Sequence, residues 1–455
     1  MVLFKRTYCI YIVLLPMTIS HDLLRFKLSE SLAISTSALT RRDVRLPAIP
    51  GKAFAVIGIR RAGKTSFLAQ CRADRLAAGR AAEGQLLLSL EDERLAGLSV
   101  AELNWLLEEH SRQFPGIREA RGMTLYLDEV QLVPGWEGLV RRLMDTGGVE
   151  LFVSGSSAKL LSREVATSLR GRAMEVLVHP FSFREALRHA GDEPAGEYEN
   201  SSATQRAALD QRLRGHLIEG GFPEAQGADP RDRAALLAGY VDVVVLRDVI
   251  ERHAVSNPLA LRWFERQLLS KPGGAFSVKK HYDALRSQGV PVGKDTLHAY
   301  LAHLEDAFLV RTVEMHSASE RQRMVNPRKA YPVDPGLIAL FERSGRSHHR
   351  RALETAVLLE LERRGFEVSY VRTREGFEVD FLAHRAGEGP MLVQVCLESE
   401  GDETWARELR ALEAGLAAHP AARAWLVTLD ASPPSRPLPG GITWASASRW
   451  LLEEM

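Results

Sequence analysis

The chain has 455 residues, more than one hydrophobic core organises, so two to four domains are expected. Hydrophobic residues make up 45% and charged residues 26%, a balance that excludes disordered and fibrous proteins. The 59 basic residues nearly cancel the 58 acidic ones, so contact with nucleic acid requires a local basic patch. Three widely separated cysteines, Cys9, Cys71 and Cys396, indicate neither a metal site nor a disulfide framework and favour a reducing compartment.

Residues 1–45 are treated as an N-terminal extension of uncertain status. Lys5 and Arg6 precede a mostly apolar run at 7–19 that resembles the core of a signal peptide. The run is too short to span a bilayer, and no small-residue cleavage site precedes His21. We favour a cytoplasmic protein whose extension precedes the true translation start, with membrane association through this segment as the alternative. Residues before about Arg41 are therefore left out of the fold prediction.

Residues 58–65 read GIRRAGKT and match the pattern G-x-x-x-x-G-K-[ST] of phosphate-binding loops. They follow a strand predicted at 53–57 and precede a helix predicted at 66–75, which is the expected context. Glycines let backbone N–H groups surround a polyphosphate, Lys64 reaches the β- and γ-phosphates, and Thr65 offers its hydroxyl to Mg²⁺. The pattern therefore predicts an ATP site. Its candidate contacts are Gly58, Arg60, Arg61, Ala62, Gly63, Lys64, Thr65 and Ser66.

Two acids follow the strand predicted at 123–127 and supply what a phosphate-binding loop lacks. Asp128 is predicted to hold Mg²⁺, and Glu129 to polarise the attacking water as the catalytic base. An acidic pair that merely caps a strand is the alternative, which the upstream loop disfavours. Loop and acids together indicate hydrolysis as well as binding of ATP.

Further polar residues lie around the next two predicted strands, at 150–154 and 173–178. Ser154 and Ser156 are candidate contacts for the γ-phosphate, because open α/β sheets place ligand contacts at the carboxyl ends of strands. Arg170 and Arg172 are candidate catalytic arginines that act within one chain or on a neighbouring subunit. A polar turn and a solvated helix end are the alternatives for the two pairs.

The order of the predicted elements indicates four regions after the extension. Up to about residue 178, strands alternate with helices, which is typical of a parallel sheet covered by helices. Helices predicted at 204–218 and 231–252, separated by GGFPE at 220–224, form a helical lid. A helix, turn and helix at 276–305 with two following strands are typical of a winged helix-turn-helix. The last hundred residues return to an α/β pattern.

The winged-helix region is locally basic. Its basic residues are Lys279, Lys280, Lys294, Arg321, Arg323, Arg328 and Lys329. Acids such as Asp283, Asp295 and Glu320 are interspersed with them. DNA contact and a solvated, protein-packing winged helix therefore stand as equal alternatives.

Six motifs carry a family resemblance: GIRRAGKT at 58–65, LDEV at 127–130, VSGSS at 153–157, LRGR at 169–172, GGFPE at 220–224 and GFEVD at 376–380. Together they resemble a large family of prokaryotic AAA-type ATP-binding proteins with a C-terminal domain of unknown function. The resemblance runs from about Pro50 to the end. It implies an α/β fold: an AAA+ P-loop core at 46–190, a lid at 191–256, a winged helix at 257–345, and a restriction-endonuclease-like domain at 346–455.

The terminal domain is similar to PD-(D/E)xK nucleases. Such sites hold Mg²⁺ with a helix carboxylate, an Asp that ends one strand, and an acid-x-Lys on the next. Glu354 and Asp380 match the first two positions as weak metal ligands. Gln394-Val395-Cys396 at the third position lacks both the acid and the lysine, so we expect an inactive scaffold.

The leading interpretation is a Mg²⁺-dependent ATPase whose nucleotide state moves the winged-helix and C-terminal domains, with a homo-oligomer completing each site. One alternative is an ATP-gated module of slow turnover that recruits DNA or an unknown protein partner. The other is an ATP-dependent DNA nuclease.

Overall fold

The computed structural model describes residues 19–33, 39–120, 122–156, 171–317, 319–342, 348–397 and 402–453. Its strands are β1 Ala53–Ile57, β2 Gln85–Ser89, β3 Met123–Asp128, β4 Val149–Gly155, β5 Ala173–Leu177, β6 Ala275–Phe276, β7 Val310–Met315, β8 Arg328–Pro332, β9 Glu367–Arg372, β10 Glu378–His384, β11 Met391–Cys396, β12 Arg423–Thr428 and β13 Ile442–Ser446. Its α-helices are His21–Ala33, Lys64–Ala77, Val100–Gln113, Pro115–Glu119, Trp136–Thr146, Phe183–Ala190, Ala203–Glu219, Pro230–Val243, Pro258–Leu269, Val278–Ser287, Lys294–Asp306, Glu320–Val325, Ile338–Phe341, His349–Arg363, Asp402–Ala418 and Ala447–Leu452.

The first sheet has five parallel strands in the order β2-β3-β4-β1-β5. The predicted parallel α/β sheet is therefore confirmed. Because β1 lies between β4 and β5, the loop after β1 opens beside the carboxyl ends of β4 and β3. A crevice at that edge is the usual ligand site of open α/β sheets.

Both faces of this sheet are buried, which explains why its strands are apolar runs without a polar face. On one face, Phe54 of β1 stacks on Phe152 of β4, which in turn stacks on Tyr126 of β3. On the other, Ala55 and Ile57 belong to a second apolar cluster. Every residue of β1 is buried, as expected of a central parallel strand.

Residues 19–33 and 39–45 pack against the first sheet and its helices, which corrects their treatment as part of an extension of uncertain status. Leu24 and Leu28 of the first helix are buried in the main core. The His21 ring stacks on Trp105, and the Ile19 N–H donates to Glu102 at 2.7 Å. The apolar run at 7–19 lies almost entirely outside the described residues, and none of the described helices is long and apolar enough to cross a membrane.

Several helices begin at a side chain that satisfies the first free backbone N–H groups. Ser99 and Glu102 form a capping box at the helix Val100–Gln113, and Ser182 and Glu185 form another at Phe183–Ala190. The lid helix Pro230–Val243 continues into a π-helical segment, Val244–Glu251. The sequence predicted an uninterrupted helix over 231–252. Segments of π-helix are rare and occur frequently at functional sites.

The second sheet joins the winged-helix region to the C-terminal region. Its eight strands lie in the order β13-β12-β11-β10-β9-β7-β8-β6. Strands β6, β8 and β7 pair antiparallel, and β7 pairs with β9 in parallel. Hydrogen bonds between β7 and β9 therefore join the regions on either side of the boundary expected near residue 345, and the boundary itself stays a prediction. The winged helix-turn-helix itself stays a prediction.

Candidate nucleotide site and C-terminal acid cluster

The loop between β1 and the helix Lys64–Ala77 has the backbone that its glycines permit. Gly58 has φ 149°, and a Cβ placed there would lie 2.2 Å from the carbonyl oxygen of Val178. Gly63 precedes the helix with φ 97° in the left-handed region. Both positions require glycine, because a side chain would be strained or would collide with backbone. The loop therefore leads directly into a helix N-terminus, whose free N–H groups attract anions.

Lys64 is buried inside the loop that it follows. Its ammonium group donates to the carbonyl oxygens of Gly58 at 3.1 Å and Ile59 at 3.2 Å, and it lies 3.9 Å from Glu129. Burial lowers the pKa of Lys64, although the charges of Glu129 and Asp128 oppose this shift. The lysine is thus held mainly by neutral carbonyls.

Asp128, at the end of β3, connects the loop to β4. The Thr65 hydroxyl donates to Asp128 Oδ2 at 2.6 Å, and the Ser154 hydroxyl donates to Oδ1. Burial raises the pKa of Asp128, against these two hydrogen bonds. A threonine hydroxyl beside a carboxylate is the kind of oxygen pair that Mg²⁺ prefers. The structure therefore brings together the two residues predicted to share the metal ion.

Glu129 turns away from the strand in a left-handed conformation, with φ 56°. Its N–H donates to the Ser154 hydroxyl at 3.0 Å, and its carboxylate accepts from the Gln131 side chain. A non-glycine residue in this region is uncommon and is a reason to examine the site for function. The Glu129 carboxylate lies 3.9 Å from Lys64. This position agrees with its predicted role as a base near the phosphates.

The two loop arginines reach the lid. Arg60 donates to Asp248 through Nε at 2.6 Å and Nη2 at 3.2 Å. Arg61, itself left-handed at φ 65°, lies 3.7 Å from Glu224 of the GGFPE segment. Asp248 also accepts from Ser156 at 3.3 Å. Residues of the phosphate-binding loop, of the end of β4 and of the lid are therefore in direct contact.

Asp248 and Arg252 were missed by the sequence prediction, which treated 231–252 as one amphipathic helix. Asp248 is buried among the apolar neighbours Val244, Val245 and Val249. A charged residue within an apolar stripe was the available signal, because such residues are buried only when they are paired. Arg42 was missed as well, since it lies in the extension 1–45, which was treated as being of uncertain status. Its buried guanidinium group donates to the carbonyl oxygen of Ala62 at 2.8 Å and so supports the phosphate-binding loop.

The glycines of the GGFPE segment are explained by close approach of backbone and side chains. A Cβ on Gly220 would lie 1.9 Å from Asp334 Oδ1, and one on Gly221 would lie 2.1 Å from the Phe181 carbonyl. The Asp334 carboxylate accepts from the Gly221 N–H at 2.6 Å. The segment 220–224 therefore packs tightly against both Phe181 and Asp334.

The two arginines predicted to be catalytic, Arg170 and Arg172, are not found beside the loop among the described residues. Arg172 lies before β5, at the sheet edge opposite the loop, and it forms an exposed ion pair with Asp145. Within this chain Arg172 therefore lies away from the loop, and its catalytic role stays a prediction. Arg170 lies outside the described residues. Ser66 follows Thr65 in the first turn of the helix, as predicted.

The C-terminal acids lie together, and a lysine from another region lies among them. Lys329 of β8 is buried, with Nζ 3.3 Å from Asp380, 3.6 Å from Glu354 and 2.9 Å from Glu378. The Tyr331 hydroxyl donates to Glu354 at 2.7 Å. We call Lys329, Tyr331, Glu354, Glu378 and Asp380 the acid cluster. A buried lysine from β8 therefore lies beside both Glu354 and Asp380.

Charges within the acid cluster compensate one another. Burial alone would lower the pKa of Lys329, but the charges of Asp380, Glu354 and Glu378 raise it. Burial and the charge of Asp380 raise the pKa of Glu354 to about 7. In the described part of the chain, no group of three or more His, Cys, Asp or Glu residues is arranged to hold a metal ion. An ammonium group is already bound to both predicted metal ligands.

The position of Lys329 also corrects the prediction of a basic patch in the winged-helix region. Because it is buried, it is not available to DNA. Lys279 and Arg328 lie nearer the surface, but they pair with Asp283 at 3.1 Å and with Glu314 at 2.9 Å. The patch is therefore less positive than its sequence indicates.

The sequence was compared with protein families and with known proteins. A family model described as an AAA domain matches residues 50–187, and one described as a domain of unknown function, DUF8612, matches residues 210–347. An uncharacterized protein of Methanocaldococcus jannaschii is 32% identical over 84% of this chain and 83% of its own length. This chain belongs to the same family. It is an AAA-domain protein.

Two further similarities were found, one to a protein sequence and one to a solved structure. An uncharacterized protein of Haemophilus influenzae is 30% identical over 75% of this chain and 82% of its own length. Among solved structures, a Walker-type ATPase of Pyrococcus abyssi is similar over 71% of this chain and 96% of that chain, at 16% identity and a TM-score of 0.41. The predicted resemblance to AAA-type proteins with a domain of unknown function is confirmed.

Proposed function

We propose that this AAA-domain protein is a Mg²⁺-dependent ATP hydrolase. The observation that carries the proposal is the 2.6 Å hydrogen bond between Thr65 and Asp128, which joins the phosphate-binding loop to the acidic pair. Two motifs far apart in sequence thus form one site. The chemistry of phosphoryl transfer needs such a site, because catalysis there consists mainly of positioning and charge stabilisation.

Each residue has a role in this proposal. The loop N–H groups and Lys64 bind the phosphates, and Thr65 and Asp128 hold Mg²⁺. Magnesium, when bound, neutralises charge on the phosphates. Glu129 orients the attacking water and accepts its proton. Ser154 keeps Asp128 and the Glu129 backbone in place, because its hydroxyl contacts both.

Coupling between nucleotide and domain movement is part of the proposal. It is supported by the contacts of Arg60 with Asp248 and of Arg61 with Glu224, which connect the loop to the lid. We propose regions at 46–190, 191–256, 257–345 and 346–455, the last two sharing one sheet. An oligomer and a DNA or protein partner are proposed as the receivers of this movement. ATP as substrate favours a cytoplasmic location.

We do not propose nuclease activity. The acid cluster supports this view, because the Lys329 ammonium group pairs with the carboxylates that would otherwise hold a metal ion. Gln394, at the position of the missing acid, accepts from the Asp380 N–H at 3.1 Å and donates to Glu408 at 2.5 Å. Its amide is therefore used to support the cluster.

The test is phosphate release by purified protein with Mg²⁺ and ATP, compared with the Glu129→Gln variant. We expect turnover to fall about 10²- to 10⁴-fold while ATP binding is retained, because only the proton acceptor is lost. Glu119→Gln, an exposed change before β3, should have wild-type turnover. Unchanged hydrolysis in Glu129→Gln would exclude Glu129 as the base. Addition of duplex DNA tests the partner, since stimulation supports DNA and indifference supports a protein.

A further inference from the structure

Gln131 lies two residues after Glu129, in a short turn that packing holds in place. The turn is the 3₁₀ segment Val130–Leu132, and the Val133 N–H donates to the Val130 carbonyl oxygen at 3.1 Å. Both valines are buried in the main core. The backbone of Gln131 is therefore fixed relative to the proposed base, because a buried residue anchors the turn on each side of it.

The Glu129 carboxylate has a different neighbour at each of its two oxygens. Oε1 lies 3.9 Å from the Lys64 ammonium group, and Oε2 accepts a hydrogen bond from Gln131 Nε2. The orientation of the amide follows from its partner. An ionised carboxylate only accepts hydrogen bonds, so the amide must turn its NH₂ group towards it. The oxygen of the amide is therefore not used by Glu129.

This amide oxygen is an unused acceptor. Within the residues that the structure describes, Gln131 Oε1 is buried and accepts no hydrogen bond. A buried acceptor of this kind is costly, so it indicates a partner that arrives with a ligand or reactant. The nitrogen of the same planar amide binds the proposed base. A small donor that binds the Glu129 carboxylate is therefore well placed to bind Gln131 Oε1 as well.

We propose that Gln131 is a further catalytic residue, which holds the attacking water together with Glu129. The inference rests on the proposed ATP hydrolysis and deepens it. Nε2 keeps the Glu129 carboxylate in place, and Oε1 accepts a hydrogen bond from the water. Because a water molecule has two O–H bonds, the carboxylate and the amide oxygen each take one. Two acceptors fix the direction in which the water oxygen attacks, which in-line transfer requires.

The chemical step then proceeds with one proton transfer. The water oxygen bonds to the γ-phosphorus, while the bond from that phosphorus to the β–γ bridging oxygen breaks and its electron pair leaves with ADP. One water proton passes to Glu129. The other stays on the new phosphate oxygen, where it is hydrogen-bonded to Gln131. Gln131 itself gains and loses no proton.

The test measures kcat and KM for hydrolysis of ATP with Mg²⁺ in Gln131→Met and Gln131→Glu. Gln131→Met keeps the length of the side chain but removes its donor and its acceptor. We expect kcat to fall about tenfold to a hundredfold, the value of one or two hydrogen bonds with a charged group. KM should change less than about threefold, because the amide acts on the water and not on the nucleotide. Gln131→Glu brings a second negative charge against Glu129, so kcat should fall at least as far.

A double-mutant cycle distinguishes catalysis from mere support of the turn. If Gln131 acts together with Glu129, adding Gln131→Met to Glu129→Gln should lower kcat less than about threefold further. Independent effects multiply instead. A double variant that loses the whole effect of Gln131→Met a second time would therefore contradict the proposed role.

Gln113→Met is the matched control for the loss of a glutamine. Gln113 also donates its amide to a glutamate, Glu109, at 3.3 Å, but it is exposed at the end of the helix Val100–Gln113. The control should have the kcat and KM of the wild type. Thermal unfolding of every variant checks the fold. Gln131→Glu, which is polar and nearly isosteric, keeps the inference testable if Gln131→Met does not fold.

The outcomes separate this inference from the proposed function. A wild-type protein without ATP turnover overturns the proposed function and the inference with it. Loss of turnover in Glu129→Gln, together with wild-type kcat in Gln131→Met, overturns only the role of Gln131. A rise in KM at unchanged kcat also overturns that role, because Gln131 would then act in nucleotide binding.

Discussion

The nucleotide site and the acid cluster each contain a buried lysine near buried carboxylates, yet the two lysines are used in opposite ways. Lys64 donates to two backbone carbonyls and stays 3.9 Å from Glu129. Lys329 contacts three carboxylates within 3.6 Å. Accordingly, burial lowers the pKa of Lys64, whereas the acids raise that of Lys329 against the effect of its burial.

Neutral donors account for this difference. In the nucleotide site, hydroxyl groups of Thr65 and Ser154 bind Asp128, so the acid does not need the lysine. The charge of Lys64 is therefore available to an incoming anion. In the acid cluster, Lys329 is the cation shared by Glu354, Glu378 and Asp380, and its charge is already compensated. We therefore infer that similar residue types give a binding site in one region and a structural ion cluster in the other.

The largest expected effect comes from replacing each lysine by methionine. Lys329→Met leaves the buried acids without their cation and should cost about 3–5 kcal/mol of stability. Lys64→Met should cost less than half of that, because its hydrogen bonds are to neutral carbonyls. It should nevertheless abolish ATP binding. The measurements are thermal unfolding and nucleotide titration of both variants.

Lys279→Met is the control for the loss of a lysine as such. Lys279 is exposed and pairs with Asp283, and a surface pair of this kind is worth at most about 1 kcal/mol. If Lys64→Met unfolded the protein as readily as Lys329→Met, the proposed contrast between an available and a compensated lysine would be wrong.

A change in the backbone of the loop should have the next largest effect. Gly58→Ala places a Cβ 2.2 Å from the Val178 carbonyl oxygen, so the loop or β5 must shift. We expect a loss of about 2 kcal/mol or more and a marked loss of ATP affinity. Gly138→Ala is the matched control, since nothing lies within 4 Å of its Cβ and helix propensity favours alanine by up to about 1 kcal/mol.

That control also tests the interpretation of the loop. Thermal unfolding should show Gly138→Ala at or slightly above wild type, with unchanged nucleotide binding. Full ATP affinity in Gly58→Ala would mean that the loop tolerates displacement and does not depend on its close contact with β5.

These contrasts explain which features the sequence could predict. The loop 58–65 and the pair Asp128 and Glu129 are local patterns flanked by apolar strands, so their chemistry was readable without tertiary information. The parallel sheet followed from the alternation of strands and helices. Asp248, Arg42 and Lys329 act through partners far away in sequence, and no local pattern identifies such partners.

Lys329 illustrates the limit most clearly. In sequence it is one of several basic residues near a presumed wing, and that composition pointed to DNA. In the fold, pairing of β8 with β7 and of β7 with β9 carries it beside Asp380 of β10. The resemblance places a lysine at a β11 position that Cys396 holds in this chain, whereas the buried lysine beside Asp380 comes from β8.

The smallest expected effect concerns the proton of Glu354. Burial and the charge of Asp380 raise the pKa of Glu354 from 4.5 to about 7 in the folded protein. Between these values the folded state binds more protons than the unfolded state, so this contribution to stability is present below about pH 4.5 and is lost as the pH rises through 7.

Glu354→Gln keeps an acceptor for Tyr331 but cannot titrate. The wild-type unfolding temperature should therefore fall relative to that of Glu354→Gln between pH 5 and 8, by an amount corresponding to about 1–3 kcal/mol. The buried histidines His179 and His216, whose pKa values are lowered by burial, are present in both proteins and cancel in the difference. A difference that stays constant or rises with pH would show that the acid cluster holds no such proton on Glu354, and that Lys329 alone compensates its charge.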